Sequence, residues 1–269
     1  VSYTVAGDNV WGDVKIWEAG ASSATQLGAI GGIWRGDNGT RMRANHERVF
    51  LVSGVPDPGG TAYLLQAEPG AGIVGGLAAN TYSHTAGSDR RGFSDVYVDG
   101  RGHAHLTYGA FQTVHYNRYD EHGQRVFGSD AEIGSGLGDW HMSAGLSAVG
   151  ASDDGLTVVA VMLLANGSQQ ASDSDLMWTY SMDAGETWST LEDTGFDTDG
   201  GEGRLLPRIV AVGNGFCLFY KDADTSTISL ATLYVERDAD GDSFTSDEDC
   251  DDDNVHVYPG ADENCTDGL

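Results

Sequence analysis

Apolar and polar positions alternate with a period of two in short runs along most of the chain. Val49-Phe-Leu-Val-Ser53, Ala104-His-Leu-Thr-Tyr108, Leu176-Met-Trp-Thr-Tyr180 and Ile228-Ser-Leu-Ala-Thr-Leu-Tyr234 are typical. Each is rich in β-branched and aromatic residues and is bounded by Gly, Asp, Asn or Ser, the pattern of a strand with one buried face. Periodicity near 3.6 is almost absent. The expectation is an all-β fold of many short strands joined by tight turns.

The runs are ordered into repeats. A polar, Arg-bearing lead-in is followed by a strand, an Asp/Asn/Gly turn and a second strand in Arg41 to Ser53, Arg91 to Tyr108, His141 to Met162 and Arg204 to Tyr220. Turns recur about every 55 residues, the period of elaborated four-stranded propeller blades. Outer strands follow in register at Tyr63 to Ala67, from Val114 onward, at Leu176 to Tyr180 and at Ile228 to Tyr234. Val1 to Ala6 and Val14 to Trp17 read as part of another blade. The fold expected is a β-propeller of about five blades, closed by mixing N- and C-terminal strands in one sheet so that no edge stays open. Six or seven blades is the count expected of a truncated ring. A β-sandwich accommodates similar strands but predicts no such repeat.

Composition narrows the function. With 41 acidic against 14 basic residues, the formal net charge is -27, which excludes nucleic acid as a partner because polyphosphate binding needs a local Lys/Arg excess. That charge suits an extracellular or cell-surface protein in cation-rich water. No apolar run approaches the roughly 18 residues of a membrane-spanning helix. Val1 opens on a strand-like segment rather than a signal peptide, so the chain reads as a mature or trimmed product. Of the three cysteines, Cys217 lies in an apolar strand and is expected as a buried thiol. Cys250 and Cys265 lie in an Asp-rich tail and can pair, which would imply an oxidising compartment.

Ser181-Met-Asp-Ala-Gly-Glu-Thr-Trp188 carries the pattern Ser-x-Asp-x-Gly-x-Thr-Trp. Asp183 can accept backbone N–H bonds in the turn, Gly185 tolerates positive φ, and Trp188 is placed to fold back as an apolar plug between sheets. The segment resembles the Asp-box of sialidase-like and BNR-repeat β-propellers. That resemblance implies blade architecture and little chemistry, since Asp-boxes sit on the outer rim. Val114 to Phe127 reads as a degenerate copy, keeping an acidic turn, Gly123 and an aromatic end.

From Asp238 the chain becomes strongly acidic. Taking Asp238 as position 1 of a calcium loop puts Asp240 at 3, Asp242 at 5, the Phe244 carbonyl at 7, Ser246 at 9 and Asp249 at 12, the EF-type ligand positions. Ser243 stands where Gly is usual and Asp249 where a longer Glu is usual, so modest affinity is expected. A solvated acidic tail is the structural alternative. Asp249-Cys-Asp-Asp252 followed by Pro259-Gly-Ala-Asp-Glu-Asn-Cys265 resembles the Asp-rich metal-binding repeat of secreted bacterial proteins, named for a methanotroph copper-binding surface protein and similar in style to thrombospondin type-3 calcium repeats. Relative to that pattern the motif is incomplete at its C-terminus. The family name implies copper, whereas an all-oxygen donor set favours calcium. The domains expected are a propeller over 1–236 and the metal-binding motif over 237–269.

In propellers the segment leading into each innermost strand lies on one face around the axis. Seven of the twelve arginines fall there: Arg35, Arg41 and Arg43, Arg90 and Arg91, Arg204 and Arg208. Asp139-Trp140-His141 occupies the remaining lead-in. Guanidinium groups grip oxyanions bidentately and aromatic faces stack on sugars, so Arg41, Arg43, Arg90, Arg91, Trp140 and Arg204 are the candidate ligand-binding residues for a carboxylated or sulfated glycan. Salt bridges to the abundant carboxylates are the structural alternative. The arginine triad of sialidases does not transfer, because Leu206-Pro-Arg-Ile209 has its residue types in a different order. For catalysis His103, His105, Tyr108 and His141 are the candidates, a His/Tyr pair being able to serve as base and acid in lyase chemistry. Packing within the fold is the alternative role for these histidines.

The leading functional expectation is a secreted or surface bacterial propeller that binds an extracellular glycan or other surface ligand and carries a calcium-binding tail. The alternatives are a glycosidase or polysaccharide lyase, and an adhesive scaffold whose tail binds metal.

Overall fold

Period-two alternation in this chain is resolved into antiparallel strands joined in chain order. A computed structural model describes residues 2–5, 11–19, 24–34, 41–54, 61–67, 78–83, 94–110, 113–137, 147–165, 174–196, 207–213, 215–221, 227–235, 251 and 254–260. The first sheet comprises β1 (Ser2–Val5), β2 (Trp11–Ala19) and β3 (Ala24–Trp34). The second holds β4 (Arg41–Ala44), β5 (Val49–Gly54), β6 (Thr61–Ala67) and β7 (Ala78–Ser83). The third holds β8 (Ser94–Val98), β9 (Ala104–Ala110), β10 (Thr113–Tyr119) and β11 (Ala131–Gly134). The fourth holds β12 (Ser147–Ala151), β13 (Val158–Ala165), β14 (Ser174–Ser181) and β15 (Glu192–Asp193). β16 (Arg208–Val212), β17 (Gly215–Lys221) and β18 (Ile228–Tyr234) form the last.

Each sheet is an up-and-down meander, and the leading strands of successive sheets lie beside one another: β8 packs on β4 and on β12, and β12 packs also on β16. This is a β-propeller, with five blade-like sheets among the described residues. Among the described residues the expected mixed closing sheet is not formed. β1 pairs with β2, Ser2 opposite Lys15, because a short hairpin closes at far lower entropic cost than a strand recruited from the other end of the chain.

Alternation decides which face of each strand meets which neighbour. Val96 (β8), Ala104 and Leu106 (β9) and Tyr119 (β10) pack on Phe50 and Val52 (β5), between the second and third sheets. The opposite face of the third sheet gives Val114 and Tyr116 (β10), which join Val149, Ala151, Val158, Ala160 and Met162 of the fourth. Each Val, Leu, Phe or Met among them contributes about 1.5–3 kcal/mol when fully buried. Between the fourth and last sheets, Gly150 admits Ile209: a Cβ there would lie 2.5 Å from Ile209 Cγ2. Cys217 is a free thiol and only half-buried, which corrects the expected buried one. Its neighbours Phe216 and Leu218 take the buried face of β17, so alternation turns Cys217 the other way.

The turn after β14 folds as its residues dictate. Ser181 Oγ donates to Asp183 Oδ1 (2.7 Å) and accepts from the Gly185 N–H (2.8 Å), while Thr187 gives Asp183 its N–H (2.8 Å) and its hydroxyl (2.5 Å). Gly185 has φ of +90° and Ala184 of +60°. Trp188 donates to the Gly185 carbonyl (3.2 Å) and meets Tyr116 of the neighbouring sheet edge-on, centroids 4.8 Å apart. The degenerate copy uses the same chemistry, with Asp120 Oδ1 accepting the N–H groups of His122 and Gln124 and Phe127 packing on Tyr116.

The chain divides into two compact units, Val1–Leu233 and Tyr234–Leu269. In the second, the N–H of Asn254 donates to the Asp251 carbonyl and that of Val257 to the Asn254 carbonyl, both at 2.8 Å, giving consecutive turns.

Candidate functional site

Parallel alignment of the leading strands brings their first residues together. Arg41 opens β4, Asp95 is second on β8, and Ser147 and Val149 are first and third on β12. On β8, Val96 faces the second sheet, so alternation turns Asp95 toward β12, where its Oδ2 accepts the Val149 N–H at 3.2 Å. Opposite Asp95 on β9 stands Thr107, whose hydroxyl accepts from Ser147 Oγ at 3.1 Å. A short polar seam thus runs through an otherwise apolar boundary between the third and fourth sheets.

The electrostatics of the seam are unusual for so acidic a chain. Asp95 is 4% exposed, and burial pushes its carboxyl up to about 6, against the opposing pull of the Val149 N–H and of Arg41 and Arg43. Burial lowers the Arg41 pKa, which the Asp95 charge raises and the Arg43 charge lowers. Asp95 Oδ1 and Arg41 Nε are both buried, and neither has a hydrogen-bond partner. Arg43 is exposed, with Nη1 on the Met42 carbonyl at 3.1 Å. An orphan acceptor and an orphan donor at the same strand ends can each bond a polar group.

The histidine candidates have other surroundings. His105 is fully buried, with Nδ1 2.8 Å from the Tyr116 hydroxyl and Nε2 3.2 Å from Asp99 Oδ2. Burial lowers its pKa although Asp99 opposes the change, and burial raises that of Tyr116 well above the usual phenol range. A neutral imidazole that donates from Nε2 to Asp99 and accepts the Tyr116 proton at Nδ1 satisfies the whole group. Tyr108 lies on the opposite face of β9, where its hydroxyl donates to Asp130 Oδ2 (2.6 Å) and its ring stacks on His115. His105 and Tyr108 therefore do not converge on one substrate. His103 precedes β9 in the turn after β8, at the other end of that strand from Asp95, half-buried beside Glu121.

The structure brings Arg41 and Arg43 together with Asp95. Arg90, Arg91, Trp140, His141 and Arg204 lie outside the described residues, as do Asp238, Asp240, Asp242, Phe244, Ser246, Asp249, Cys250 and Cys265. Among the described residues no three His, Cys, Asp or Glu side chains are already gathered as a coordination sphere. Asp95 was not a sequence candidate, being one of 41 acids. Its available signal is its place in Ser94-Asp-Val-Tyr-Val98, a carboxylate at an alternating position of a strand expected to be innermost.

Comparison with protein-family models gives no match, and comparison with curated proteins gives none. Solved structures with a similar arrangement include a Lactobacillus plantarum protein (14% identity, TM-score 0.47, 87% of this chain and 68% of that one). Others are a GH43 endo-arabinanase from Bacillus licheniformis (15%, 0.46, 77% and 75%) and a DUF4623 family protein from Bacteroides eggerthii (12%, 0.42, 71% and 40%). This chain thus spans less than half of the Bacteroides protein. All three TM-scores are below 0.5, and the fold assigned above stands on the chain's own strand pairing.

Proposed function

We propose that this chain is an extracellular or surface-displayed propeller that binds an anionic ligand, a carboxylated or sulfated glycan, at the leading ends of its innermost strands. The observation that carries the reading is Arg41, half-buried, with a buried Nε that no hydrogen bond satisfies. In a chain with three carboxylates for each cation, a guanidinium held at a strand end without a full set of partners is set to receive an oxyanion. The Ser181–Trp188 turn supports a place among Asp-box propellers. Carboxylates on alternate residues from Asp238 to Asp249 support calcium as the cation of the tail.

A second reading, glycoside hydrolysis or polysaccharide elimination, is favoured by one observation. Asp95 holds its proton to about pH 6, within the range in which a carboxylic acid serves as general acid.

Binding of sialosides, uronate polymers and sulfated polysaccharides to the immobilised full chain tests the first reading. Arg41→Met is expected to weaken capture of the bound class at least about tenfold, the loss of one charge-assisted contact. Unchanged capture by that variant, or no capture of any anionic polymer, refutes it. New reducing ends or unsaturated products in the same incubations select the enzyme.

A further inference from the structure

The polar seam between the third and fourth sheets gives its two unpartnered atoms one shared chemistry. Asp95 Oδ2 accepts the Val149 N–H at 3.2 Å, whereas Oδ1 is buried without a partner. An oxygen that accepts an N–H keeps a lone pair turned to that donor, so in the protonated carboxyl the hydrogen sits on Oδ1. The other orphan, Arg41 Nε, is also a donor. With Asp95 protonated the two are buried donors with no acceptor, and a group made only of acceptor oxygens satisfies both.

The surroundings decide when that proton is present. Asp95 is 4% exposed, and burial raises its carboxyl to about 6 although Arg41 and Arg43, the charged groups of β4 that act on it, favour ionisation. β9 places Thr107 opposite it, and β12 offers Ser147 and the Val149 N–H, none of which titrates near neutrality. Phe50 and Val52 of β5 meet the opposite, apolar face of β8. An anion brought to Arg41 adds a second negative charge beside this carboxyl, and two such charges in one dry site keep a proton between them. The incoming anion therefore holds the Asp95 proton in place to higher pH.

We propose that Asp95 donates the hydrogen on Oδ1 to the carboxylate of a uronate-type sugar held by Arg41, so that the ligand binds together with one proton and sulfated sugars bind less well. This deepens the anionic-ligand reading above and rests on it. A hydrogen bond from a carboxylic acid strengthens with the basicity of its acceptor. A sugar carboxylate, close in basicity to Asp95 itself, can share the proton, whereas a sulfate ester, the conjugate base of a strong acid, cannot. Arg41 supplies the attraction for any oxyanion, and Asp95 the choice between the two kinds. Arg41 is half-buried, so the anion meets the part of its side chain that reaches solvent before it meets the two buried atoms.

Calorimetric titration of the full chain with a galacturonate oligosaccharide, in buffers of different ionisation enthalpy, counts the protons. At pH 7.5 the wild-type chain is expected to take up about one proton per ligand bound, and almost none at pH 5, with affinity falling about tenfold per pH unit above about pH 6.5. Asp95→Asn places an amide N–H where the acid hydrogen was, so it should take up no proton and should bind the oligosaccharide at pH 8 more tightly than wild type. A sulfated galactose oligosaccharide of equal length and charge should bind wild type at least about tenfold more weakly at pH 5, and Asp95→Ala should erase that preference. Glu192→Gln, an exposed acid on the outermost strand of the fourth sheet, should leave proton uptake as in wild type. Uronate binding without proton uptake at pH 7.5, uptake that persists in Asp95→Asn, or a sulfated sugar bound as well as the carboxylated one overturns this proposal and leaves Arg41 as an anion site. No binding of either sugar overturns both. Thermal melting of each variant separates loss of the site from loss of the fold.

Discussion

Replacing Asp95 with Asn should make the protein more stable, by a gain that opens above about pH 4 and is complete above about pH 6. Asp95 is 4% exposed and its carboxyl is raised from 3.8 to about 6, chiefly by burial. At 1.36 kcal/mol per pKa unit the ionised form costs about 3 kcal/mol relative to the unfolded chain. The sign follows from the raised value. A folded state that holds the proton more tightly than the unfolded state has this contribution in full below about 3.8 and loses it as pH rises through about 6. Asn keeps an oxygen for the Val149 N–H and removes the charge, so the variant should match wild type near pH 4 and exceed it by up to about 3 kcal/mol at pH 8. For a unit of this size that is about 6–12 °C in Tm. His105 titrates in the opposite sense, but it is present in both proteins and cancels in the difference. Urea denaturation of both proteins at pH 4.5, 6 and 8, with the exposed acid exchange Glu192→Gln as a control for net charge, measures the effect. A variant less stable than wild type at pH 8, or a gain that is the same at all three pH values, refutes the account. A carboxylate that costs stability at neutral pH is what a ligand site, rather than a packing role, is expected to contain.

Gly185→Ala should destabilise the chain by at least about 2 kcal/mol, because φ is +90° and the new Cβ would lie 2.2 Å from Tyr116 Cε1; a urea midpoint shift with unchanged slope reports it. Tyr116→Phe removes the proton donor to His105 Nδ1 and should cost about 1–3 kcal/mol by the same measurement. Burial lowers the His105 pKa, so that group's contribution is present above about pH 6.5 and is lost as pH falls through the lowered folded value; a His105→Gln variant should show a flatter acid limb of stability against pH. Chelation of calcium should accelerate proteolysis of the segment from Asp238 to Asp249, and Asp238→Ala should make that rate insensitive to chelator, read by mass mapping of the fragments.

Strand positions and turns were legible because each depends on neighbours in sequence. Val96 and Val98 alternate with Tyr97, so β8 could be drawn from the sequence, and Ser181 to Trp188 encodes its own turn through hydrogen bonds that span at most four residues. The lead-in arginines were visible as a pattern, and Arg41 does open an innermost strand. His103 and His105 show where local reading ends. They are two residues apart and equally suited to chemistry, yet one is sealed between Asp99 and Tyr116 and the other reaches Glu121 at the surface.

The sequence by itself determined an all-β chain of repeating hairpins, its turn chemistry and its concentration of charge, since these rest on backbone propensity and on contacts a few residues long. Only the tertiary structure decided that Asp95 is buried with an unpartnered oxygen, that Cys217 is half-buried and that Glu121 lies between two histidines from separate turns. Period-two alternation defines two faces of a strand without saying which one a neighbouring sheet will cover. The exclusion of water by that neighbour is what shifts a carboxyl or sequesters an imidazole.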